Sequence, residues 1–107
     1  MPAETPPLSP ADAAERLRDG RWQVVDVRLP EERAEGRIPD SVHIQLTELS
    51  ARAGELDAER PLLVFCRSGT RSAMAVAALR GAGYDAHDLA GGLLAWSEAG
   101  LPIESES

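Results

Sequence analysis

Residues 61–83 read PLLVFCRSGTRSAMAVAALRGAG, and the order of residue types along them sets the fold class. Pro61 is followed by Leu62, Leu63, Val64 and Phe65, large apolar residues in a row without alternation. A strand with one wet face alternates, so an unbroken run predicts a strand covered on both faces, as in a parallel sheet. From Ser72 the chain turns to small helix formers, with Met74, Ala77 and Ala78 expected to pack tightly in a helix that Gly81 and Gly83 end. Between strand and helix stand Cys66, Arg67, Ser68, Gly69, Thr70 and Arg71. Ligands of open parallel sheets bind beyond the carboxyl ends of the strands, where loops lead into helices. A loop this short can curl round a point with successive backbone N–H groups facing inward as an anion nest, and the helix start adds its positive dipole end. A thiol at Cys66 should ionise more readily there than a free one, and two guanidinium groups strengthen the effect. A lone cysteine is often only a small buried hydrophobe, but burial alone would not call for two arginines and a glycine in one junction loop.

Outward from this unit, Ser9 should cap a helix with Pro10 at its first position and Asp12 near its positive end, and Gly20 should end it. WQVVDV (22–27) predicts a buried strand, after which LPEE breaks the pattern. A second short strand is expected at 42–44, a short helix over 47–53 and a last strand over 84–89. LAGGLLAWSEAGLP (89–102) supplies a Gly-Gly turn, a short helix docked through Leu94 and Trp96, and a Gly100 stop. Strands alternating with helices predict one α/β domain over 9–103, a mostly parallel central sheet flanked by helices on both faces. An extended lead-in over 1–8 and a frayed acidic tail over 104–107 complete the chain. Asp26 and Arg28 end the strand before the cysteine strand on the same side of the sheet, which places them to brace the loop. Glu32 is left open between pairing with a nearby arginine and lying solvated.

Composition narrows the function. At 107 residues the chain is one domain by length, with 43% apolar residues to bury. Its net charge of −7 argues against nucleic acid or an anionic membrane as partner. All 11 basic residues are arginine, so Schiff-base chemistry and the phosphate-loop lysine are excluded. One cysteine with His43 and His87 makes neither an internal disulfide nor a metal site, and no cofactor is expected. The opening MPAETPPLSP reads as no secretory signal, and a reducing cytoplasm is the expected compartment.

Three segments together resemble the rhodanese family of sulfurtransferases: CRSGTRS (66–72) its active-site loop, DVRLPEERAEGRIPDSVHI (26–44) its DVRxxxExxxGHIPGAxxI segment, and GYDAHDLAGGLLAWSEAGLP (83–102) its closing GGxxAW segment. The likeness runs from Asp26 to Pro102 and more weakly from Ser9. Arg37, Asp40 and Ser41 stand where the family usually has histidine, glycine and alanine; aspartate tolerates a left-handed turn, so the turn should survive. The resemblance implies that the Cys66 thiolate takes the outer sulfur of a small donor such as thiosulfate, holds it as a persulfide, and yields it to a thiol, cyanide or a sulfur-accepting protein. Arg67 and Arg71 would bind the donor's oxyanion end, with Ser68, Gly69 and Thr70 acting mainly through their backbone. A persulfide carrier serving a partner protein is the alternative from another class. A cysteine phosphatase ranks lower, because its loop places five residues between cysteine and arginine where this chain has four.

Overall fold

The computed structural model describes residues 6–105; the parts of the expected lead-in and tail at 1–5 and 106–107 lie outside the described residues. The chain opens with α1 (Pro10–Leu17), where the Ser9 hydroxyl accepts the Asp12 N–H at 3.1 Å and Pro10 takes the first position, which needs no N–H partner. Then follow β1 (Gln23–Asp26), α2 (Pro30–Glu35), β2 (Val42–His43), α3 (Leu49–Arg52), β3 (Leu62–Phe65), α4 (Thr70–Gly81), β4 (Ala86–Asp88) and α5 (Gly92–Glu98). Tight 3-10 turns flank α3 at Leu46–Glu48 and Ala53–Glu55.

The strands are all parallel, in the order β2-β1-β3-β4. Leu8 continues the sheet past β4 with 2.8 Å backbone bonds to Asp88 and Ala90. Arg37 and Glu104 exchange two 2.9 Å backbone bonds, tying the end of the described chain to the segment after α2. Side chains of β1 and β3 alternate between two buried layers. Val25, Val27, Leu62, Val64 and Cys66 pack with Leu49, Ala75 and Leu79 from α3 and α4; Val24, Leu63 and Phe65 pack with Ala13 and Trp96 from α1 and α5. All of Leu62–Phe65 is fully buried, as the unbroken apolar run required. From β1 the chain crosses outward to β2, yet β3 lies on β1's other side, so the order reverses between β1 and β3. The crevice beyond the paired ends Asp26 and Phe65 is therefore the ligand position of an open sheet.

Several local expectations need correction. LPEE does not merely break a strand; it opens α2, which buries none of its own residues and so leaves no apolar periodicity to read. α4 begins at Thr70 rather than near Ser72, because Gly69, at φ +109°, turns the loop directly into the helix. Met74, Ala77 and Ala78 are exposed, Met74 by 62%; the packed side of α4 is Ser72, Ala75 and Leu79. In α5, Leu94 faces outward and Leu93 packs beside Trp96, whose Nε1–H donates to the Pro102 carbonyl at 2.7 Å. Asp40 sits at φ +65°, the one non-glycine residue with positive φ among the described residues, so aspartate does hold the turn. Among the described residues no helix is long and apolar enough to cross a membrane.

The two exposures give a stability contrast. Phe65→Ala should cost about 3–5 kcal/mol by emptying a filled core site. Met74→Ala should stay within about 0.5 kcal/mol. Urea unfolding checks both, and equal losses would contradict the packing described.

Candidate functional site

The loop from Cys66 to Arg71 joins the C-terminal end of β3 to the first turn of α4, at the point where the sheet order reverses. Cys66 is buried, 1% exposed, and its Sγ accepts the Gly69 N–H at 3.0 Å and the Ser72 N–H at 3.4 Å, with the Ser72 Oγ also at 3.4 Å. Burial alone would push the thiol up. The Ser72 hydroxyl and the backbone N–H groups of Ser72, Gly69 and Ser68 outweigh it and hold the thiol below its ordinary value.

The loop is shaped from behind by α5. The Leu93 N–H donates to the Cys66 carbonyl at 2.8 Å and the Leu94 N–H to the Arg67 carbonyl at 3.1 Å. A side chain at Gly92 has no room: its Cβ would lie 2.5 Å from the Arg67 carbonyl oxygen and 2.6 Å from that of Cys66. The Gly-Gly pair is thus more than a turn; it lets one backbone lie directly on the other.

Asp26 and Arg28 come together in a buried pair, Nη2 to Oδ2 at 2.8 Å and Nε to Oδ1 at 2.9 Å. Arg33 adds a 3.2 Å bond to the same carboxylate. Arg28 also reaches the Gly36 carbonyl at 2.6 Å and lies 5.4 Å from the Phe65 ring centroid, while the His43 ring bonds the Arg28 carbonyl through Nε2 at 2.7 Å. These contacts hold the segment after β1 and do not touch the cysteine loop. The link to that loop is Glu32 on α2, whose carboxylate takes both Nη1 and Nη2 of Arg71, at 2.5 and 2.8 Å. Its Oε1 also accepts the Leu29 N–H at 3.1 Å. The hydrogen bonds from Arg71 lead the causes that hold the Glu32 carboxyl down at about 2.

The two loop arginines therefore differ. Arg71 is committed to Glu32, whereas Arg67 is exposed and, among the described residues, has no side-chain hydrogen bond or ion pair. Arg67 borders a cleft of about 450 Å³ whose other walls include Glu32, Glu35, Leu93, Leu94 and Ile103. Cys66 does not line this cleft, which adjoins the loop through Arg67. Ser68 and Thr70 are exposed at the crown of the loop. The sequence does not single out Ser72, Asp88 or Gly92, and of the two readings it leaves open for Glu32 the pairing with an arginine holds, the partner being Arg71; the legible signal for Ser72 is its place one residue past the loop, in the first turn of a helix whose start faces the thiol.

The model of the rhodanese-like domain matches residues 9–99. A sulfurtransferase of Allochromatium vinosum is 41% identical over 81 residues, 75% of this chain and 76% of that protein. The thiosulfate sulfurtransferase GlpE of Pseudomonas syringae pv. syringae is 36% identical over 81% of this chain and 83% of its own. The crystal structure of a rhodanese-related protein from Thermoplasma volcanium superposes with a TM-score of 0.88 at 34% identity, covering 94% of this chain and 98% of that one.

A carboxyl held near 2 in the folded chain, against an ordinary value of 4.5, stabilises the fold fully above about 4.5 and loses that contribution as pH falls toward 2. Both partners are partly exposed, so solvent screening trims the effect, and Glu32→Gln should cost about 1–2 kcal/mol at neutral pH. Denaturant unfolding should show the gap between Glu32→Gln and the native chain closing on acidification. A gap independent of pH would contradict the pairing.

Proposed function

The chain belongs to the rhodanese-like domain family, and on that premise we propose that it is a sulfurtransferase in which Cys66 carries the transferred sulfur. The supporting observation is a buried sulfur atom met by the backbone N–H groups of Gly69 and Ser72 at the end of a parallel strand. Such a ring of fixed dipoles favours a sulfur anion and needs no rearrangement when charge appears on it. In the first half-reaction the Cys66 thiolate attacks the outer sulfur of thiosulfate; the donor's S–S bond breaks and sulfite leaves with the electron pair. In the second, a thiol or cyanide attacks the outer sulfur of the persulfide and Sγ leaves as thiolate. Arg67, free to turn, binds the donor's oxyanion end. Arg71, spent on Glu32, fixes the helix start, and Asp26 and Arg28 hold the segment from which Glu32 projects. Ser68, Gly69 and Thr70 act through the backbone. A lone free thiol fits a reducing cytoplasm.

Incubation with thiosulfate or polysulfide should add the mass of one sulfur atom to the intact protein, removable by cyanide, and Cys66→Ser should show none. No adduct with any donor would refute the mechanism. An adduct that resists cyanide and glutathione but passes to a protein acceptor would mark a carrier.

The arginines separate by donor. Arg67→Ala removes a charge-assisted bond worth about 1.5–3 kcal/mol, roughly ten- to a hundredfold in kcat/KM with dianionic thiosulfate, and should cost less with an organic polysulfide. Arg71→Ala should lose activity equally with both donors and lower stability. Steady-state kinetics against a fixed cyanide concentration checks this; a donor-independent loss at Arg67 would make it a surface charge.

A further inference from the structure

Behind the thiol a hydrogen-bond chain leaves the loop toward β4. The Ser72 Oγ, fully buried, lies 3.4 Å from the Cys66 Sγ, 2.5 Å from the Asp88 Oδ1 and 3.2 Å from the Gly69 carbonyl. A hydroxyl has one hydrogen to donate, and the shortest contact, to a carboxylate, takes it. An oxygen lone pair is then left facing Sγ, so the neutral thiol donates to Ser72 and Ser72 donates to Asp88.

We propose that Cys66 and Asp88 share one proton through Ser72, so that the buried thiol releases its proton to a carboxylate that reaches solvent. As the thiolate forms, the S–H bond breaks and its proton joins the Ser72 Oγ, while the original Ser72 proton moves to the Asp88 Oδ1. The products are a thiolate that accepts a hydrogen bond from Ser72 and a neutral carboxylic acid that donates to Ser72. No other reactant is needed. The same chain run backward returns the proton to Sγ after the acceptor has taken the outer sulfur.

The surroundings fit this role. Asp88 is only half-buried, unlike Cys66 and Ser72, so it can exchange protons with water. Burial raises its carboxyl above the ordinary value, opposed by the Ser72 hydroxyl and the Leu89 N–H, which suits a proton acceptor. Ser72 is its one side-chain hydrogen-bond partner among the described residues. The charged groups nearby are otherwise engaged or directed elsewhere. Arg71 is held by Glu32, and Asp26 by Arg28 and Arg33. Arg67 borders the outer cleft, Arg80 donates to the Ala86 carbonyl, and His87 lies against the Trp22 ring and Asp85. Asp88 thus acts through Ser72 as a positioning residue.

This inference rests on Cys66 being the nucleophile, but its test needs no sulfur transfer. The rate of alkylation of the single cysteine by iodoacetamide, followed against pH, reads the thiolate directly. A shared proton gives the native chain two inflections separated by a plateau. Asp88→Asn should give a single inflection, because no carboxylate then remains to share the proton. Ser72→Ala, which keeps the carboxylate but removes the bridge, should lose the plateau. Superimposable native and Asp88→Asn profiles, or a plateau that survives Ser72→Ala, would overturn the proposal. Should Asp88→Asn fail to fold, the carboxyl carbon resonance of Asp88 in the native chain serves instead: its titration should fall from two steps to one once iodoacetamide has blocked Cys66, and an unchanged curve would overturn the proposal equally. A two-step profile in a chain that transfers no sulfur would leave this inference standing and sink the sulfurtransferase reading alone.

Discussion

The site depends on one backbone contact: the start of α5 holds the carbonyls of Cys66 and Arg67 by the N–H groups of Leu93 and Leu94. In a trans peptide the C=O and the following N–H point opposite ways. Drawing the Arg67 carbonyl toward α5 therefore turns the Ser68 N–H the other way, toward the sulfur, where it helps to hold the thiol down. Gly69 completes the curl and supplies the shortest N–H contact to Sγ, at 3.0 Å. The nest is thus a consequence of where α5 docks, and that docking is set at a distance by Trp96 and Leu93 in the core layer they share with Phe65 and Leu63.

A second constraint fixes the opposite rim. Asp26 is fully buried and Arg28 nearly so, and a charge in that position must be paired and hydrogen-bonded to be tolerated. Arg28 and Arg33 satisfy Asp26, and their remaining donors hold the Gly36 carbonyl and Ser41. The result is a rigid path from β1 through α2 to Glu32 and so to Arg71. Loop and rim meet at that ion pair, which leaves Arg67 as the loop cation able to meet an incoming anion.

Much of this was legible in the order of residues. The unbroken run Leu62 to Phe65 points to a doubly covered strand, and the loop of small residues and arginines that follows it then lies at the strand's carboxyl end. What stayed hidden lacked an apolar signal or depended on a distant partner. α2 buries nothing of its own, so its helix shows only in Pro30 at the start and in Glu32 reaching back to the Leu29 N–H. α4 is so rich in alanine that its sequence does not show which side packs, and Met74, expected to pack, faces outward. In α5 the choice between Leu93 and Leu94 turned on where the helix begins, which Gly92 sets by lying on the Arg67 carbonyl. Asp88 carries no signal in the sequence because its importance lies in meeting Ser72, 16 residues away in the chain.

The most direct measurement of the whole account is a crystal structure of the chain after reaction with polysulfide. The outer sulfur on Cys66 should lie inside the ring formed by the loop, within hydrogen-bonding reach of its backbone N–H groups, with the carbonyls of Cys66 and Arg67 still held by Leu93 and Leu94. An outer sulfur directed away from those N–H groups, or a loop that has released α5 to accommodate it, would contradict the claim that this backbone was shaped to hold a sulfur anion.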